Sequence, residues 1–362
     1  MSLAAAMPAA QAINQRIARD GHITVADFMA LALETYYGRD VVFGRDGDFI
    51  TAPEISQTFG EIIGLWCAVT WQQMGAPGGF QFIECGPGRG TLMADALRAA
   101  GAVPGFVKAA KIHLIERSRS LRSQQKQALE AYAITWHDDL ASVPNGPQII
   151  IGNEFLDALP VRQFQRTSDG WAERVIIQDA QGRLTFSIVP ANNVPIPIPI
   201  AANAEIGAIY EHSDDITTLT KQIAQRLMRD TGAALFIDYG HSTSALGETL
   251  QAVKQHRYHN VLTALGEADI TAHVDFGHVR TVAKHAGTAV FGPVEQGIWL
   301  RQLGISVRQM QLARDKPAAV ARNIEQGVRR LTDPHGMGVL FKVIALAHPS
   351  LGNLEGFADQ PA

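Results

Sequence analysis

Glu84, Gly86, Gly88 and Gly90 alternate through the segment IECGPGRGT, which follows a short apolar run and precedes a helix-forming one. Glycines there allow a tight turn and let a ligand approach the backbone, and the start of the helix offers unpaired N–H groups. Other acidic residues close further apolar runs. Glu116 ends KIHLIE, where an acceptor-only carboxylate can take both hydroxyls of a ribose; the alternative is a solvated carboxylate beside Arg117 or Arg119. Asp139 and Leu140, in HDDL, either face an adenine ring or form a loop cap. GNEFLDALP presents Asn153, Glu154 and Asp157 after QIII. Two carboxylates three residues apart on a turn face one way and suit a guanidinium; helix capping by Asn153 and Asp157 is the competing reading. Asp238 and Tyr239, in DYGH, read as substrate contacts, with a turn-capping aspartate as the alternative. Glu267, Asp269, His273 and Asp275 lie close in sequence, but the other histidines are scattered, so no metal is expected.

The glycine spacing narrows the ligand. A dinucleotide fingerprint needs its third glycine three positions after the second. That position is Thr91, and the glycine comes at two. An acidic residue ahead of three alternating glycines is instead the loop that takes S-adenosylmethionine (SAM). On this reading Glu84, Gly86, Gly88, Gly90, Glu116, Asp139, Leu140 and Asn153 bind the cofactor, and Glu154 and Asp157 orient a cationic nucleophile and accept its proton. The stretch from Tyr36 to Glu61 is dense in polar and aromatic residues, among them Tyr37, Asp48 and Glu54. It is expected to close over the crevice as a lid. His273 completes the expected substrate-side set.

Short apolar runs position these residues. FQFIE, KIHLIE, AITW, QIII and ALFID alternate with helical segments, which predicts βαβ units and an open α/β sheet. TAVFG and VLFKVIALA add two late strands around the helix QGIWLRQLG and one long polar helix after Ser306. VRQFQ, WAERVIIQ and RLTFSIV alternate apolar with polar, the pattern of an antiparallel meander with one wet face. VPIPIPI lacks ladder donors and reads as an extended edge or linker. Near the start, Thr24 and Asp27 resemble a capping box ahead of Phe28 and Leu31. The residues before them read as a ragged tail.

The chain has 362 residues with 31 Lys+Arg against 35 Asp+Glu, a formal charge of −4. A binder held by nucleic-acid phosphates would show a basic surplus. With 46% apolar and 18% charged residues the chain can build a large core. Its two cysteines, Cys67 and Cys85, read as core residues of a reducing compartment. No run is long enough to span a membrane and the N-terminus lacks a basic start, so the expectation is a cytoplasmic protein.

Six motifs in order, GDFITAPEISQTFGE, IECGPGRGTLM, GNEFLDALPVRQF, IDYGH, GEADITAHVDF and MGVLFKV, resemble the MidA family of SAM-dependent methyltransferases, over about Phe28 to Ala347. The family is related to a mitochondrial complex I assembly factor that methylates an arginine. The resemblance implies an α/β class I (Rossmann-like) methyltransferase sheet with a helical N-terminal extension and an inserted antiparallel β region. The segments follow as 1–78 (extension and lid), 79–160 (cofactor half of the core), 161–215 (meander on the substrate side) and 216–362 (rest of the core). It implies SAM as cofactor and a protein substrate, with a complex I subunit as the model. Gly152 stands where the family usually has alanine, which is expected to loosen the end of the fourth strand. A non-catalytic assembly chaperone and a small-molecule methyltransferase are the alternatives.

Overall fold

The computed structural model describes residues 8–38, 51–191 and 194–357. Contacts divide the chain into two units, one of Met1–Phe49, Asp157–Thr218 and Thr243–Asp275, the other of Ile50–Leu156, Leu219–Ser242 and Phe276–Ala362. Each is gathered from separate stretches, not from the consecutive segments set out above.

The second unit is built on a mostly parallel sheet. Its strands are β1 (Phe80–Cys85), β2 (Ala110–Ile115), β3 (Ile134–His137), β4 (Gln148–Asn153), β5 (Gly232–His241), β6 (Ala289–Glu295) and β7 (Phe341–Ala347). They follow the order β3-β2-β1-β4-β5-β7-β6. The first five run parallel, and β7 enters antiparallel between β5 and β6. Chain order reverses between β1 and β4. An open α/β sheet leaves its ligand crevice at such a reversal, beyond the carboxyl ends of the strands. Gly152 serves packing here: a Cβ on it would meet the Phe236 ring of β5 at 2.7 Å. The absent methyl therefore admits a neighbour and does not loosen the strand. The single polar helix expected after Ser306 is two helices, Ile305–Ala313 and Ala318–Thr332. Pro317 between them lacks a donor and disfavours helical backbone at Lys316.

The helix Gln57–Gln73, capped by Ser56, packs on Thr91–Ala100, the helix that follows the glycine loop. A Cβ on Gly64 would lie 2.2 Å from the Ala96 carbonyl oxygen. Backbone cannot yield as a side chain can. Gly64→Ala is therefore expected to lower stability by roughly 1–3 kcal/mol, the scale of overpacking. Urea unfolding measures it, and an unchanged midpoint would sink the close-packing argument.

The first unit holds a five-stranded antiparallel sheet in which Ile23–Thr24, Gly170–Gln178, Arg162–Thr167 and Ile209–His212 are successive neighbours and Leu184–Pro190 pairs with Gly170–Gln178. The meander is as the alternation predicts. Thr24 Oγ1 accepts the Asp27 N–H at 3.0 Å at the start of the helix Val25–Gly38. The residues read as a ragged tail form another helix, Ala9–Asp20, which buries Ile13 and Ile17 one turn apart. The proline-rich run closes into a short helix at Ile198–Ala202, since proline fits a first helical turn.

Candidate functional site

Parallel register carries the acidic strand ends to one edge of the sheet. Glu84 of β1 stands opposite Leu114 of β2 and Ile151 of β4. Glu116 follows β2, Asp139 follows β3, and Asn153 ends β4.

Glu84 is 2% exposed, and its Oε2 has no hydrogen-bond partner among the described residues. Burial pushes its carboxyl up to about 8, against the pull of the Met93 N–H. Asn153 donates from Nδ2 to Glu154 Oε1 at 3.1 Å, while its own buried Oδ1 has no partner among the described residues. Two buried acceptors short of donors at one strand edge fit a cationic, donor-rich ligand such as the ammonium end of SAM. The glycine loop that follows β1 leaves open space of its own. Gly88 has φ +51°, and no atom lies within 4 Å of where its Cβ would point. Gly86, at φ +65°, is needed for a close approach, since a Cβ would meet Phe155 at 2.7 Å.

The raised carboxyl of Glu84 has a consequence for stability. A folded pKa near 8 against an ordinary 4.5 means that the fold favours the protonated form. Stability is greatest below the ordinary value and falls as pH rises toward the folded one. Ligand-free Glu84→Gln should therefore melt above the wild type at pH 8, with the gap closing at pH 5, and should bind SAM more weakly. Equal melting at both pH values would show a solvated carboxylate.

Glu116 is held on both oxygens. Oε1 accepts the Ser118 N–H at 2.7 Å and Oε2 the Gln125 Nε2 at 3.3 Å. Burial raises its pKa despite these donors. Gln125, from the helix Arg119–Ala128, also donates to the Gly88 carbonyl at 2.7 Å and accepts from Trp136 Nε1 at 2.8 Å. It links the glycine loop, the β2 end and β3, and no motif pointed to it. The available signal was a polar residue in the buried stripe Leu121, Gln125, Leu129. Arg122 Nε holds the Glu116 carbonyl at 2.7 Å while its Nη2 pairs with Asp138. Asp139 Oδ1 accepts the Ser142 N–H at 2.9 Å, which makes it the cap of the turn Leu140–Ser142.

Glu154 has φ +50°, a conformation that a side chain adopts under constraint. Its Oε1 accepts the Ala52 N–H at 2.9 Å. Two residues on, Glu54 Oε1 accepts the Thr91 hydroxyl at 2.6 Å, with Arg89 Nη1 at 3.6 Å from Oε2. The short helix Ala52–Ile55 is thus tied to both the end of β4 and the glycine loop. Residues 154–160 form turn and not helix, so the helix-capping alternative does not apply there.

Asp238 takes the capping role that was the alternative for it. Its Oδ2 accepts the N–H groups of Phe155 (3.0 Å) and Leu156 (2.9 Å), and Oδ1 that of Tyr239 (3.0 Å), so it caps the turn after β4. The Tyr239 ring is buried against Phe341 with centroids 5.5 Å apart. Tyr37, Asp157 and His273 belong to the first unit. There the Tyr37 hydroxyl donates to Asp269 Oδ1 at 3.3 Å. Burial, then Asp269 and Asp157, hold the phenol well above its ordinary pKa. The His273 N–H donates to Thr249 Oγ1 at 2.8 Å. Asp48 lies outside the described residues. Among the described residues no group of three metal-ligating side chains converges, and no helix is long and apolar enough to cross a membrane.

Comparison with known proteins places this arrangement. Residues 62–294 match the family model described as "Putative S-adenosyl-L-methionine-dependent methyltransferase". The Drosophila melanogaster protein named as a mitochondrial protein arginine methyltransferase NDUFAF7 homolog is 36% identical over 93% of this chain and 84% of its own. Protein arginine methyltransferase NDUFAF7, mitochondrial, of Homo sapiens is 34% identical over 94% and 83%. A crystal structure from Burkholderia thailandensis, bound to S-adenosyl-homocysteine, superposes with a TM-score of 0.83 at 27% identity and covers 99% of this chain and 98% of that one. The cytoplasmic expectation is corrected by these relatives, which are named mitochondrial; composition and the lack of a basic start do not decide a compartment. Glycine loop, strand-end carboxylates, matched family model and relatives agree, and the chain belongs to the family of SAM-dependent methyltransferases.

Proposed function

We propose that the chain methylates an arginine guanidinium of a protein substrate. The observation that carries this is Glu154, an anionic side chain held at φ +50° where β4 ends, one strand away from the glycine loop. The names of the relatives support guanidinium as the acceptor. SAM, when bound, supplies a methyl group on a sulfonium.

Glu84, Gly86, Gly88, Gly90, Glu116, Asp139, Leu140 and Asn153 would hold the cofactor. A fully protonated guanidinium is a poor nucleophile, so Glu154 orients it and accepts the proton that substitution releases. A desolvated guanidinium needs a paired anion. Asp157 is the second carboxylate that the sequence pairs with Glu154, Glu54 is a further residue assigned to the substrate, and a complex I subunit is the substrate that the resemblance points to. Transfer of labelled methyl from SAM into a lysate of cells lacking this protein, followed by peptide mapping, tests the reading. Label on arginine of a protein supports it; label on another residue or on a small molecule overturns it.

A further inference from the structure

A line of buried side chains crosses the parallel sheet and ends at the turn after β3. Gln81 of β1, His113 of β2 and His137 of β3 are all buried. His113 Nε2 lies 2.7 Å from Gln81 Oε1, and His113 Nδ1 lies 2.9 Å from His137 Nε2. His137 Nδ1 is 3.0 Å from Ser142 Oγ. Ser142 belongs to the turn that carries Asp139 and Leu140, and its Oγ is 2.9 Å from the Asp139 carbonyl oxygen.

Within the line itself there is one proton fewer than its hydrogen bonds require, and the line ends at Ser142, an exposed side chain. Gln81 spends Nε2 on the Asn145 carbonyl, 3.3 Å away, so it offers His113 an acceptor. His113 Nε2 must then carry a proton. Its Nδ1 is an acceptor in the neutral ring, which places the His137 proton on Nε2. His137 Nδ1 becomes a further acceptor facing Ser142. The one hydroxyl proton of Ser142 thus has two acceptors, His137 Nδ1 and the Asp139 carbonyl, and satisfies one. A proton added at His137 Nδ1 resolves this: the imidazolium donates in both directions and Ser142 keeps its O–H for Asp139. The same proton on His113 Nδ1, with His137 in its Nδ1–H tautomer, gives the same pattern: in both cases His137 Nδ1 donates to Ser142.

We propose that His137 and Ser142 are positioning residues for the adenine end of the cofactor, the Ser142 hydroxyl tightening the Asp139–Leu140 turn when His137 gains a proton. This rests on the assignment of that turn to SAM. Lys111 and Arg226 face His113; Asp139, Arg122, Arg226 and Asp138 face His137. Burial first holds both rings below their ordinary value; for His113, at about 4, the His137 ring, Lys111 and Arg226 add to it, and for His137 the carboxylates of Asp139 and Asp138 oppose it while Arg122 and Arg226 add to it. The pair is therefore neutral near pH 7, and the switch operates on the acid side.

Calorimetry with S-adenosyl-homocysteine from pH 8 to pH 5.5 tests this. Protonation of Glu84 weakens binding to both proteins alike over this range, so the readout is the ratio of wild-type to Ser142→Ala affinity, which should be near one at pH 8 and rise to about fivefold at the acid end, the scale of one hydrogen bond. Ser142→Thr keeps a hydroxyl and should behave as the wild type. If the ligand binds and the Ser142→Ala profile matches the wild type, the positioning role falls while the cofactor assignment stands. If the ligand fails to bind the wild type at any pH, the cofactor assignment falls and takes this inference with it.

Discussion

Gly88→Val is expected to abolish SAM binding and leave a cooperative fold. The side chain itself meets no protein atom, because nothing lies within 4 Å of the Cβ position. The backbone at φ +51° resists a β-branched residue by about 1–2 kcal/mol. A domain stable by about 5–15 kcal/mol tolerates that. The isopropyl group instead fills the open space at the glycine loop that the cofactor assignment requires. Calorimetry should show affinity reduced by roughly 10²-fold or more, about 3 kcal/mol, with a single unfolding transition in urea. Retained affinity would remove Gly88 from the cofactor site.

Glu154→Gln should lower turnover by roughly 10²-fold or more, the scale of a positioned acid–base group, and leave SAM affinity within a few-fold. The carboxamide keeps an oxygen for the Ala52 N–H that Glu154 Oε1 accepts at 2.9 Å, so the tie to Ala52–Ile55 survives. What it loses is the negative charge and the ability to take a proton. Steady-state transfer to the protein substrate, with SAM affinity measured alongside, separates the effects. Normal turnover would make Glu154 a structural anchor for residues 52–55. The guanidinium would then need another anion, and Glu54 is a candidate in the same unit.

What the sequence made legible were patterns local to one turn or one strand. The glycine loop, the runs that became β1 to β5 and the acidic residues after them needed no knowledge of the rest of the chain. Features set by distant partners were hidden. Gln125 matters because helix packing brings it to the Gly88 carbonyl, Glu116 and Trp136 together. Asp238 could be read as a substrate contact or a cap until three N–H groups were seen on its carboxylate. Gly152 looked like a loosening change because the Phe236 ring beside it comes from a strand over eighty residues away. The N-terminal helix was missed since Ile13 and Ile17 are too few to make a convincing stripe without the core they enter.

The position of β7 decides when this sheet can be finished during synthesis. Residues Phe341–Ala347 pair with β5 from Tyr239 to Ala233 on one side and with β6 on the other. On the ribosome, β5 therefore emerges about a hundred residues before the neighbour that covers this edge, and β6 waits with no strand of this sheet to join. An uncovered, apolar strand edge invites pairing with other chains. The nascent protein is thus most exposed to aggregation in the interval between β5 and β7, and a chain halted anywhere before Phe341 should be captured by chaperones or degraded instead of surviving as a shortened enzyme.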